Sequence, residues 1–293
     1  HLSIRRQRQM CIRDRCERVG RETGGHFFRD CFWGRIMKKI IPIAEYTLKE
    51  NIRHKIFYTI LLFGLVIMAS SLIFSMLSPE EETRVILDIG LGAIEIFTFL
   101  SAIFAAVGLI LGEMENKSIS LILARPVRRY EYIWGRFSGI LSISLFNILI
   151  MSLGLLFLLF IKGWEFNFRF LLAIGFIFLK VVIISALAIL ISLISTSAIS
   201  SISMTFFLWV VGHVTDHLKY LNYVLLQKGV KITIFLKAIY YLLPNFQYLN
   251  LKDYINNPNP LTGATIFWQL AYSLVYASVV TWLSVLVFSR KEF

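Results

Sequence analysis

Six stretches of mainly apolar residues dominate this chain, at 56–77, 91–111, 139–161, 171–194, 198–214 and 264–288. A helix needs about 20 such residues to cross a bilayer, since each adds about 1.5 Å towards a hydrocarbon core about 30 Å thick. The fourth and fifth runs are separated only by Ser195, Thr196 and Ser197, which predicts a tight helical hairpin. An all-α integral membrane protein with six transmembrane helices is the expected fold class. Composition agrees: 57% of the residues are hydrophobic and 16% charged, against about 45–50% and about 25% in soluble domains. The net charge of +12 would suit a nucleic-acid binder. In a membrane chain, basic residues report loop orientation instead, so no nucleic-acid partner is expected.

Residues 37–55 hold Lys38, Lys39, Lys49, Arg53 and Lys55, and the connection between spans two and three holds Lys117, Arg125, Arg128, Arg129 and Arg136. The tail adds Arg290 and Lys291, whereas the short loops of the opposite side hold only Arg84, Lys162 and Arg169. The positive-inside rule then places both termini and the 112–138 loop in the cytoplasm. Segment 215–263 carries five lysines, but long segments constrain orientation less. It is partly apolar and broken at Pro244, and is expected to be an external region of short helices lying on or dipping into the membrane. Ahead of the first span, Ile41, Ala44, Leu48 and Ile52 fall at helical spacing with Lys38, Lys39, Lys49, Glu50 and Arg53 on other faces. This predicts an amphipathic helix in the membrane interface.

Residues 1–36 have a different composition. They hold nine Arg and all three cysteines (Cys11, Cys16, Cys31), and supply +5 of the charge. The run Gln9-Met10-Cys11-Ile12-Arg13-Asp14 resembles the translation of a transposon-end sequencing adapter. Residues 1 to about 36 are therefore expected to be a disordered, non-native read-through segment, with the membrane domain at 37–293 and the native start at Met37. A basic arm drawn to anionic lipid is the functional alternative.

No G-x-x-x-x-G-K-[ST] motif, dinucleotide fingerprint, H-E-x-x-H or G-x-S-x-G occurs. The chain is not expected to be an enzyme or to bind a cofactor of its own. Any work it does must draw on an ion gradient or a partner.

The most informative segment is 112–136. It opens on Glu113 and Glu115 and continues as a short amphipathic stretch with Ile119, Ile122 and Leu123 on one face. It stops at Arg125-Pro126, because proline disfavours helix at the residue before it. Such an element can fit a groove on another protein; a solvated loop with snorkelling arginines is the plain alternative. Here the chain resembles permease subunits of ABC transporters of the type 2 exporter superfamily. Glu113, Ser118, Leu121, Leu123, Pro126, Val127, Arg129, Tyr132, Gly135 and Arg136 stand in the places of that family's pattern. Arg128 stands where Ser is common and Lys117 where Gly often is. The nearest-looking branch is that of permeases linked to multicopper-enzyme maturation. The resemblance covers 37–293. It implies that Glu113, Glu115, Ser118, Leu121, Leu123, Pro126, Arg129, Gly135 and Arg136 couple to a separate cytosolic ATPase subunit, which binds ATP and Mg. It also implies two permease copies, alike or different, in a bacterial-type cytoplasmic membrane.

Lys180 lies nine residues into the fourth run, about 13 Å along the helix. An ionisable group at that depth should face protein or water. Glu95 and Asp88 are its natural partners, the alternative being that it snorkels outwards. His213, Asp216 and His217 share one helix face in an H-x-x-D-H pattern. Polar residues collect at span ends, so no metal site is expected there. Two other classes of function stay open: a gradient-driven carrier using Lys180, Glu95 or Asp88, and a non-transporting membrane anchor for an ATPase.

Overall fold

The computed structural model describes residues 26–76, 82–115, 128–164, 166–227, 243–251 and 263–290; within these, the side chains of 26–39, 115 and 216–227 lie outside the description. Seven α-helices are present among the described residues: α1 His26–Arg53, α2 Lys55–Ser75, α3 Glu82–Glu115, α4 Arg129–Ile161, α5 Phe168–Ile194, α6 Ala198–Gln227 and α7 Gly263–Arg290. A single 3₁₀ turn spans Gln247–Leu249. Helices α2 to α7 are the six long apolar elements the sequence predicts, each long and apolar enough to cross a membrane.

Several helices outrun their apolar runs. α3 has 34 residues and α4 has 33, so each is about 50 Å long and exceeds the hydrocarbon core by several turns. Extending a formed helix is far cheaper than starting one, so polar flanks without Pro simply continue the span. α6 likewise continues past its apolar run to Gln227. α1 runs from His26 to Arg53 and holds Pro42 within it.

The connections follow local chemistry. α4 ends in a Schellman motif: Gly163 has φ of 72°, Trp164 N–H donates to Leu159 O at 3.1 Å and Gly163 N–H to Phe160 O at 3.0 Å. Glycine reaches that left-handed conformation without steric cost. Asn167 caps α5 by accepting from Arg169 N–H at 3.1 Å. α5 and α6 join through the three residues the hairpin reading required.

α3 and α5 are mostly buried and form the centre, with α2, α6 and α7 around them exposing apolar side chains. α1 packs mainly on α4, α2 on α3, and α7 on α5. One end of the bundle gathers the end of α1, the end of α3, the start of α4 and the end of α7; we call it the proximal end. At the distal end Lys162 Nζ meets Glu82 Oε2 at 2.7 Å, tying the end of α4 to the start of α3.

The buried face of α1 differs from the expected stripe. Ile41 is 58% exposed, while Thr47 and Asn51 are buried; Leu48 and Ile52 do pack on the core. The neighbour decides this. A Cβ on Gly135 would lie 2.7 Å from Ile43 Cβ, and one on Gly139 would lie 2.5 Å from Thr47 Cβ and 3.0 Å from the Ala44 carbonyl oxygen. Two glycines one turn apart on α4 thus admit the Ile43–Thr47 side of α1 at close range, the close approach that small residues permit. Replacing Gly139 with Leu is expected to cost about 1–3 kcal/mol through overpacking. It should also lift α1 off the bundle, seen as faster limited proteolysis within 26–53 while α4 stays protected.

Candidate functional site

The segment 116–127, which carries Ser118, Leu121, Leu123 and Pro126, lies outside the described residues, as does the side chain of Glu115. Its two anchorages are described. On the near side stands Glu113, in the last turn of α3. On the far side α4 opens at Arg129, with Glu131 Oε2 accepting from the Arg128 backbone N–H at 2.8 Å and so satisfying a donor at the helix start.

Glu113 is the hub of the proximal end. One carboxylate oxygen accepts from the Tyr132 hydroxyl and the other pairs with Arg136 Nη2. Arg136 Nη1 donates to Thr47 Oγ1 at 2.9 Å and lies 3.4 Å from Glu50 Oε2, both on α1. The guanidinium carbon stands over the rings of Tyr46 and Tyr132 at 5.5 and 5.6 Å, within cation–π range. The Arg136 side chain is 1% exposed. A buried guanidinium is tolerable only with a close anion and hydrogen-bond acceptors around it, and Glu113 and Thr47 supply them.

Arg129 points to the end of the chain. Its Nη1 donates to the carbonyl oxygens of Phe288 and Ser289 at 3.0 and 2.6 Å. These belong to the last turn of α7, where carbonyls lack helical partners and carry the negative end of the helix dipole. Tyr132 stacks on Phe288 with centroids 5.3 Å apart. The two edges of 116–127 are thereby fastened to α1 and α7. Of the residues assigned to coupling, Glu113, Arg129 and Arg136 form this fastening and Gly135 lets α1 approach. Arg136 is therefore positioned to hold the element rather than to touch a partner. The sequence places Glu50 on the polar face of the amphipathic helix, but neither its approach to Arg136 nor the parts of Thr47 and the α7 carbonyls are visible there.

A second cluster lies within the bundle. Lys180, near the middle of α5, donates to Glu95 Oε1 of α3 at 2.8 Å, and both side chains are 5% exposed. Of the two carboxylates weighed, Glu95 is the close partner, and Asp88 is exposed seven residues earlier on α3. His213 of α6 completes the group, with Nε2 2.9 Å from the same Glu95 oxygen and Nδ1 3.0 Å from the Trp209 carbonyl oxygen. Its role beside Glu95 was missed, because the H-x-x-D-H pattern drew attention along α6 instead of across to α3. Asp216 and His217 lie on α6 with side chains outside the description. Among the described residues no group of three or more His, Cys, Asp or Glu could hold a metal ion.

Above His213 the chain returns to the bundle at 243–251. Phe246 N–H donates to Gly212 O at 3.1 Å, and its ring sits where a Cβ on Gly212 would lie, 2.4 Å away. Tyr272 accepts from Asn245 N–H at 2.9 Å, and Gln269 donates to Tyr248 O at 2.7 Å. Phe246, Leu249 and Leu251 are buried, so this returning stretch dips into the core as well as covering it.

Six membrane-length helices around a buried ionic cluster define a multi-pass membrane protein. A family model described as ABC-2 family transporter protein matches residues 41–293, and the chain belongs to that family. It is a transmembrane permease of the ABC-2 type, a membrane component of transport. No curated protein matches the chain.

Proposed function

We propose that this chain is the membrane-spanning subunit of an ATP-driven exporter. In this reading, ATP with Mg is bound and hydrolysed by a separate cytosolic subunit that docks on 116–127, and two permease copies build the transporter in a bacterial-type cytoplasmic membrane. The proximal end is then cytosolic, as the Lys/Arg count of its segments supports. One observation carries the reading: both edges of 116–127 are clamped through Glu113, Arg136 and Arg129 to α1 and α7. A push on the segment would be passed to these helices as a rigid displacement, biasing a two-state bundle.

The test uses the chain with Cys11, Cys16 and Cys31 changed to Ser, which removes all three of its thiols. A cysteine placed at Leu121 is expected to cross-link to a co-purifying ATPase, with a yield that changes on adding nucleotide. Deleting 119–123 should abolish permease-stimulated ATP hydrolysis while the protein still inserts. Normal co-purification and stimulation in the deletion variant would defeat the coupling claim. The buried Lys180–Glu95 pair favours a second reading, a gradient-driven carrier. Transport that survives ATP depletion would select it.

A further inference from the structure

The imidazole of His213 lies between two acceptors. Its Nδ1 faces the Trp209 carbonyl oxygen at 3.0 Å and its Nε2 faces Glu95 Oε1 at 2.9 Å. A carbonyl oxygen only accepts, so Nδ1 must carry a hydrogen for the first contact. A neutral ring then has a bare Nε2, whose lone pair would oppose that of a carboxylate oxygen. The other neutral tautomer moves the same conflict to Trp209. Both contacts are hydrogen bonds only when the His213–Glu95 pair holds one further proton. That proton sits either on the ring, giving imidazolium against carboxylate, or on the Glu95 carboxyl, giving a hydroxyl that donates to Nε2. Lys180 donates to the same Glu95 oxygen throughout.

We infer that Glu95, His213 and Lys180 form a proton-binding site, and that the arrangement described is its proton-loaded state. The Trp209 and Phe246 rings pack on the imidazole, with centroids 4.6 and 5.4 Å away, and the Lys180 ammonium lies on the same Glu95 oxygen. Among the described residues, Glu82, Arg84 and Asp88 on α3, Lys162 at the end of α4, Arg169 on α5, Tyr248 on the returning segment and Tyr272 and Tyr276 on α7 are titratable groups on the packed elements; α6 also carries Asp216, His217 and Lys219, whose side chains lie outside the description. α4 contributes Arg129, Tyr130, Glu131, Tyr132 and Arg136 at the proximal end, and α2 contributes Lys55 and Tyr58.

The same ring supports the segment 243–251, because Phe246 rests on both His213 and Gly212. Losing the proton replaces a hydrogen bond under Phe246 with a repulsion, so the seat of the returning segment loosens as pH rises. Proton occupancy of the cluster thereby sets how firmly 243–251 is seated on the bundle, whether or not an ATPase drives the proximal end.

The full chain in detergent, titrated across about pH 5–9, tests this. Glu95→Gln is the reference: Lys180 and His213 meet one and the same Glu95 oxygen, an amide atom there cannot both accept from Lys180 and donate to Nε2, and the uncharged side chain leaves the ring no acid group with which to share a proton. Wild type is expected to release one proton more than Glu95→Gln, and His213→Gln to match Glu95→Gln. The amide-exchange rate of 243–251, taken as a ratio to that of Glu95→Gln at each pH, should rise about tenfold in wild type from the acid to the alkaline end. Equal proton release and equal exchange in wild type and Glu95→Gln overturn the inference, and that comparison decides even if His213→Gln does not fold.

Discussion

Replacing Glu113 with glutamine is expected to cost about 3–5 kcal/mol of stability and to silence coupling, because it strips the close anion from a guanidinium with no route to water. Arg136 is 1% exposed and its remaining carboxylate, Glu50, stands at 3.4 Å and is 36% exposed. Glu50→Gln is the control. A distant, half-solvated partner contributes about 1 kcal/mol or less, so the two variants should separate clearly in thermal unfolding of the purified protein. The pair Glu113→Leu with Arg136→Met should recover most of the lost stability, since an apolar replacement leaves no orphaned charge. It should not recover ATPase stimulation, because the clamp on 116–127 is gone. Equal unfolding midpoints for Glu113→Gln and Glu50→Gln would show that Arg136 is solvated and that the clamp is absent.

Glu95→Leu is expected to be as damaging, and Lys180→Met less so. Removing Glu95 strands the Lys180 ammonium, 5% exposed, against an apolar side chain, at a cost of about 3–5 kcal/mol. Removing Lys180 leaves Glu95 in contact with His213 Nε2 at 2.9 Å, so its carboxyl still has a polar partner. The double variant Glu95→Leu with Lys180→Met should return to within about 1 kcal/mol of wild type. A lysine that snorkels to the membrane surface would make both single changes mild and additive. Thermal unfolding of the four proteins in one detergent distinguishes the cases.

The choice of Glu95 over Asp88 illustrates where sequence reasoning stops. The two are seven residues apart, two helical turns, so they share one face of α3 and periodicity cannot rank them. Depth and a third partner rank them: the middle of α5 meets Glu95, and α6 brings His213 to the same oxygen from 118 positions away. Glu113 and Arg136 could be singled out from their pattern, yet the reason they matter lies with Thr47 and Glu50 on α1 and with two carbonyls at the end of α7. A backbone carbonyl has no signature in a sequence, and a threonine on an amphipathic helix looks like any other.

Sequence alone determined that this chain is helical and that it has six elements long and apolar enough to cross a membrane, and it singled out 112–136 and an ionisable residue at depth. Those conclusions rest on quantities local in the chain: the length of apolar runs against a fixed bilayer thickness, and the cost of a charge within it. The tertiary structure decided which residues those charges face, which side of α1 is buried and where 243–251 returns to the core. Pairings of this kind are set by how helix surfaces interlock, with glycines at 135, 139 and 212 admitting the Ile43 and Thr47 side chains and the Phe246 ring where a Cβ would collide, and that complementarity exists only between elements far apart in the chain.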